Sequence, residues 1–407
     1  MTLSARAAGG WPATVRGLYL VAMAMFLVTV VIGILNGLDL VDFNVPELRN
    51  TLLTHVHAGT LGWISLGIIA TTFWLAREDD RRLAWAFAIV VPIYVAAFYS
   101  GNYPARAITG TVLLVAIAWL FVWAWRLAMA RRSLPTLAVA LGLTTFTYGA
   151  VIGVLLQVQG AIGQTLFPAN SDAIGAHAAT MTFGYLVLVA MGFLEWRLKG
   201  TVGRPTLGVI QVAALFLGSL ILAVALLFLD PQSVQAAGGL NLLCELVAVV
   251  LFVIRIWPAA LRTSWLDAAP GRHVHAAAIF VVVAMALFMY LVFKFISAGD
   301  PSALPLGVLV ALDHTVFIGV ITNLVFGSAL ALSADRADRW PWAGQVVFWV
   351  TNGGLVLFAI GLVVESAEVK RIGAPIMGVG VLIGLAVIAL RLWSSSLSGA
   401  AEDAVQV

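Results

Sequence analysis

Residues 48–77 read "LRNTLLTHVHAGTLGWISLGIIATTFWLAR", and two features of this stretch pull in different directions. Most of it is apolar over about the 20 residues a helix needs to cross a bilayer. Yet it holds His55 and His57, from a chain with only six histidines. The composition agrees with the first feature: 62% of the 407 residues are hydrophobic and 10% charged, where soluble domains carry about a quarter charged residues. The chain belongs in a membrane. Its net charge of +3 is spread over short segments without a basic block, which reflects topology and gives no sign of a nucleic-acid partner. Cys244 is the only cysteine. Disulfides within the chain, thiolate metal cages, CxxC redox motifs and CxxCH haem attachment are thereby excluded, so any metal must be held by nitrogen or oxygen.

Twelve apolar runs long enough to span fall at 17–38, 51–76, 83–103, 108–130, 134–160, 175–196, 206–229, 237–260, 273–298, 304–333, 342–364 and 372–393. Arg6 and Arg16 precede the first without a convincing small-residue cleavage site, which reads as an uncleaved span. With the amino terminus inside, seventeen of the 22 lysines and arginines lie on that side, Lys199 among them. Four (Arg49, Arg106, Lys370 and Arg371) lie outside and Lys294 is within a span. Such a bias places both termini in the cytoplasm. The expected fold is an all-α integral membrane protein of twelve transmembrane helices, one polytopic domain over 1–407. Its second, sixth and tenth runs read "HAGTLGW" from His57, "HAATMTF" from His177 and "HTVFIGV" from His314. One histidine per four spans suggests three pseudo-repeated four-helix units, about 1–133, 134–266 and 267–407, followed by a mobile tail at 394–407.

An ionisable side chain inside a span is costly, faces protein rather than lipid, and marks function by default. Neutral imidazole is also the commonest metal ligand. Taken singly, each histidine could merely hydrogen-bond a neighbouring helix; taken together, at one depth in the outer half of the membrane, they are candidates to converge on a metal. His55 and His57 point about 200° apart on a regular helix, so one helix can serve two sites. His273 and His275 form a second His-x-His pair at the inner end of the ninth run, read as interfacial anchors beside Arg272, with a separate metal site as the alternative. Arg49 and Arg106, on the outer side, suit carboxylates such as haem propionates or serve as interface anchors. Asp313 is placed to orient His314, and Gln157 with Gln159 to meet propionates or a quinol headgroup. Glu245 and Lys294 are candidates for a proton route, Lys294 equally for snorkelling. The 14 tryptophans, with Trp74, Trp196 and Trp342 at span ends, suggest an aromatic belt.

Twelve spans with histidines on the second, sixth and tenth resemble subunit I of the haem-copper oxidase superfamily, which includes oxygen and nitric oxide reductases. "THVHAGTLGWISLGI" is similar to the HxH(x4)GW signature of short subunit-I-like members. "RHVHAAAIF" followed by "LDHTVFIGVITNLVFG" also resembles the nitric-oxide-response membrane haem proteins of the NnrS type. The likeness covers nearly the whole chain by topology and about forty residues by motif. It implies that His57 and His314 are axial ligands of one haem b and that His177 belongs to a copper site, with His55 joining His177 at a second haem or metal. It also implies a quinol, cytochrome c or partner subunit as electron donor, and a place in the bacterial inner membrane. The sequence departs from the family in having one histidine on the tenth run, none on the seventh, and Met181 where HPEVY would place tyrosine, Tyr185 lying further on. These departures argue against a copper centre with a histidine–tyrosine crosslink. The function expected is electron transfer to nitric oxide or oxygen at an outer-side histidine-ligated centre. A non-catalytic haem or copper protein for sensing or storage is the alternative, and a transporter the more distant one.

Overall fold

A computed structural model of the chain describes residues 11–43, 45–198, 204–260, 262, 264–267, 269–298 and 305–397. Arg6, Lys199, the start of the tenth run at 304 and residues 398–407 of the tail lie outside the described residues. The described residues are helical, with no strand among them, and contain twelve helices long and apolar enough to cross a membrane. In chain order these are Trp11–Gly37, Pro46–Ala76, Arg81–Tyr99, Tyr103–Arg131, Leu134–Ile162, Ala173–Arg197, Pro205–Phe228, Pro231–Ala259, Gly271–Lys294, Leu306–Leu332, Pro341–Val363 and Ala367–Ser394. They are called spans 1 to 12 below.

Polar side chains at the ends explain several boundaries. Asp80 accepts from the amides of Arg82 and Leu83, Asn102 from that of Ala105, and Asp172 from that of Gly175, each satisfying amides that a helix start leaves unpaired. Span 3 ends at Tyr99, short of the expected residue 103, because Gly101 turns the chain at φ 71° and Asn102 opens the next helix. A left-handed residue there favours glycine.

The chain divides into two compact units. The first comprises Met1–Gly101, Ser264–Val274 and Thr322–Val407. Span 1 packs on spans 2 and 12 within it. Phe26 stacks on Trp63 at 4.6 Å, and Tyr19 and Thr71 share a 2.8 Å hydrogen bond. Spans 11 and 12 approach so closely that a Cβ on Gly354, Gly361, Gly373 or Gly380 would strike the facing backbone. Small residues do the same at helix seams in membranes, where van der Waals contact must replace the hydrophobic drive. The first residues of the expected tail are tied down: Asp335 accepts from Ser395 Oγ, from the Ser396 amide and from Ser396 Oγ.

The second unit comprises Asn102–Thr263 and His275–Ile321. Spans 4 and 5, 5 and 6, and 7 and 8 pack in pairs. Thr145 donates to the Gly184 carbonyl at 2.5 Å, joining spans 5 and 6. Near the far end of span 6, Arg255 Nη2 donates to both carboxylate oxygens of Glu195 at 2.7 and 2.8 Å, and Arg255 Nη1 donates to Gln211 Oε1. A charge so deeply buried persists only with a partner.

Trp342 is exposed as a belt residue would be, but Trp74 is buried among core side chains, so the belt does not extend to it. Burial singles out three spans: 78%, 72% and 94% of the apolar windows of spans 2, 6 and 10 are buried, against at most 56% elsewhere. These are the three that carry the aligned histidines.

Candidate haem-ligand histidines

Spans 2, 6 and 10 share a backbone feature as well. Each contains an eight-residue π-helical segment: Ala58–Ser65, Thr180–Val187 and Thr315–Thr322. Wide turns of this kind are rare and tend to occur at functional sites, because the inserted residue redirects the side chains before it. His57 and His314 both stand immediately before their segments. His177 stands two positions further back, as His55 does in span 2. Aligned on these segments, His55 matches His177 and His57 matches His314, while Gly62, Gly184 and Gly319 fall together. The side-by-side reading of the three motifs is therefore shifted by two residues in span 6.

Local hydrogen bonds divide the four histidines in the same way. His57 Nδ1 meets the Leu53 carbonyl at 2.7 Å and His314 Nδ1 meets the Val310 carbonyl at 2.9 Å, each four residues back on its own helix. His55 Nδ1 meets the Thr29 carbonyl at 2.9 Å and His177 Nδ1 meets the Gly149 carbonyl at 2.8 Å, each on the preceding span. One turn beyond those carbonyls stand Gly33 and Gly153, where a Cβ would come within 3.0 Å of His55 Cε1 and 2.9 Å of His177 Cε1. Both rings need a glycine beside them. A carbonyl oxygen only accepts, so Nδ1 carries the proton in all four and the lone pair lies on Nε2. That is how metal-ligating histidines are held, the second nitrogen fixing tautomer and orientation. All four histidines are half-buried as residues. His57 is further fixed by stacking on Phe98 at 3.7 Å, with Tyr94 edge-on at 6.3 Å, and His55 lies against Phe43.

These histidines suit a haem, which needs from the protein one or two axial imidazoles and burial. A copper cage makes a larger demand, and among the described residues no three histidine, cysteine, aspartate or glutamate side chains form a metal-holding group.

The other candidates separate. Arg106 is fully buried, its guanidinium 5.0 Å from the Tyr103 ring centre, whereas Arg49 is exposed at the start of its helix. Asp313 is half-buried beside His314, whose Nδ1 donates to the Val310 carbonyl. Gln159 accepts from the Leu166 amide and so shapes the loop after span 5, while Gln157 Oε1 is buried without a hydrogen bond. Glu245 is buried and accepts from Asn241 at 2.8 Å. Lys294 is exposed with its ammonium 5.5 Å from the Tyr290 ring centre, in keeping with snorkelling. Tyr185 stacks on Phe146 at 4.3 Å.

His273 and His275 are not exposed as anchors to lipid or water would be. Both are fully buried, and His273 heads a polar chain through Asn323 and Asn352. Neither asparagine was singled out from the sequence, although each interrupts an apolar run and thereby carried the signal.

No protein-family model matches the chain, and no curated protein sequence matches it. The resemblance described above therefore stands on this chain's own residues.

Proposed function

We propose that this chain is a haem-binding redox protein of the bacterial inner membrane, built on three pseudo-repeated four-helix units with both termini in the cytoplasm. His57 and His314 are its haem b ligands, and His177 and His55 serve a second haem or a copper. The observation that carries this reading is the identical presentation of His57 and His314. Each directly precedes a π-helical segment and each has its Nδ1 proton donated to a carbonyl one turn back. Two unrelated structural histidines have no reason to share backbone distortion, tautomer and register.

Bound haem would supply one-electron chemistry with nitric oxide or oxygen. The protein's part is to present Nε2 with its lone pair free of a proton and to hold the ring against rotation. Backbone acceptors do this better than side chains, since a main-chain carbonyl cannot change rotamer. Arg106 is the buried cation best suited to a propionate, with Arg49 exposed to contribute at a distance. Electrons come from quinol, cytochrome c or a partner subunit, because no CxxCH motif is present in this sequence.

The same four residues also serve a non-catalytic haem protein for sensing, storage or nitric oxide response. The lack of a three-ligand metal group among the described residues favours that reading over a haem-copper reductase. An optical spectrum with metal analysis of the purified protein tests the proposal: a b-type haem spectrum is expected, and colourless protein from haem-replete cells ends it. Consumption of nitric oxide or oxygen with a reduced quinol then separates the enzyme from the non-catalytic binder.

A further inference from the structure

His273 is a different kind of buried histidine. It lies in the first compact unit with Asn323, Asn352, Phe326 and Phe348, and 2% of its surface is exposed. Its tautomer is fixed by a chain of hydrogen bonds that begins on the backbone. The Phe348 carbonyl accepts from an Asn352 side-chain nitrogen at 2.8 Å, which must therefore be Nδ2. Asn352 is thus oriented so that its Oδ1 accepts from Asn323 Nδ2 at 2.7 Å. Asn323 in turn offers Oδ1 to His273 Nδ1 at 2.8 Å. An amide oxygen cannot donate, so Nδ1 holds the proton and the lone pair of the neutral ring lies on Nε2. Nε2 is buried and accepts no hydrogen bond from the protein.

A buried acceptor left unpaired is costly, and two side chains anchored on a backbone carbonyl are arranged here to keep it an acceptor. Its surroundings say what it takes. Phe326 and Phe348 meet the ring edge-to-face at 6.3 and 5.1 Å between centres. The Arg272 guanidinium lies 4.4 Å from the Phe348 ring centre, held by Gln345 and the Gly344 carbonyl. A permanent cation so near disfavours a second positive charge, whether a proton on Nε2 or a metal ion, and no three-ligand group surrounds it among the described residues. A neutral hydroxyl remains.

We infer that His273 Nε2 is the binding point for a neutral hydroxyl donor, supplied either by a trapped water or by a hydroquinone from the bilayer. The geometry stands independently of the haem reading; a hydroquinone there would make this the contact for the electron donor. Nitrogen-15 spectra of the full-length protein with labelled histidine test it. The His273 signal is assigned by its disappearance in His273→Phe, or in His273→Gln should the phenylalanine variant not fold. The expected result is an unprotonated Nε2 whose resonance is displaced from the position of a bare imidazole nitrogen in the direction of an accepted hydrogen bond. A resonance at the bare position, or a proton bonded to Nε2, overturns the inference. Addition of decylubiquinol separates the two sources. Further displacement, with binding about tenfold weaker in the His273 variant as expected for one lost hydrogen bond, identifies a hydroquinone. A resonance indifferent to the quinol but shifted by exchange into deuterium oxide identifies water.

Discussion

The four histidines around the π-helical segments and the histidine at the start of span 9 are both buried imidazoles with a protonated Nδ1, yet they are held by different means. The first four lean on main-chain carbonyls and are half-buried as residues. His273 leans on a side-chain amide that is itself oriented by another, and is sealed by aromatic rings. A backbone anchor fixes a ring and its tautomer with no extra polar residue. A side-chain relay adds polar groups to the core, a cost tolerated when its members are satisfied, and here it leaves one of them, His273 Nε2, without a partner in the protein. The comparison teaches that buried imidazoles with the same tautomer can be built in two ways, and the identity of the Nδ1 acceptor divides them: a main-chain carbonyl for the four, a side-chain amide for His273.

The largest expected effect tests the backbone-held kind. His57→Ala or His314→Ala should abolish the haem absorption band of purified protein, while Lys294→Gln, on an exposed side chain, should leave it intact. Equal haem content in all three would break the comparison.

A subtler change separates the two pairs among the backbone-held histidines. Gly153→Ala puts a methyl against His177 Cε1 and Gly33→Ala does so against His55 Cε1. Each should shift the spectrum or metal content tied to its own histidine without removing the haem that depends on His57, as read by electron paramagnetic resonance. No change in either variant would mean that those rings have room and no ligand.

The relay is tested through stability. Asn323→Leu leaves the Nδ1 proton of His273 without its acceptor and should lower stability by about 1–3 kcal/mol, the cost of an unpaired buried donor, as measured by thermal unfolding in detergent. The double variant Asn323→Leu with His273→Phe should recover part of that loss, since the imidazole proton is then no longer stranded and only Asn352 Oδ1 lacks its donor.

The smallest effect falls outside both regions. Asp39 is exposed, and a hydrogen bond from Arg371, aided by the charge of Lys370, holds its carboxyl below the usual carboxylate range. A depressed folded pKa contributes stability that is present above the unfolded pKa and lost as pH falls through the folded one. Asp39→Asn should therefore lower the melting temperature slightly at neutral pH and not at all in strong acid, and the difference should shrink in high salt.

Much of this was legible in the chain. Twelve spans follow from hydropathy alone, because a segment without internal water must satisfy its backbone as a helix, and the structure moves their ends by only a few residues where Gly101 and the capping side chains intervene. His55, His57, His177 and His314 stood out as costly residues in apolar runs. What the sequence withheld was register: motif similarity set His177 opposite His57, whereas the π-helical segments set it opposite His55. The burial of His273 was withheld as well, since proximity to Arg272 suggested a polar surface and not a buried one.

The sequence by itself determined the membrane setting, the number of apolar spans and the exclusion of thiolate cages, since these depend on composition and on the energy of each residue in lipid. Only the tertiary structure decided which nitrogen of each imidazole bears its proton, which spans are most buried, and which asparagines serve a histidine. For His55, His177 and His273 those outcomes depend on an acceptor brought from elsewhere in the chain, which no local pattern encodes; for His57 and His314 the acceptor is one turn back, and the helical backbone decides.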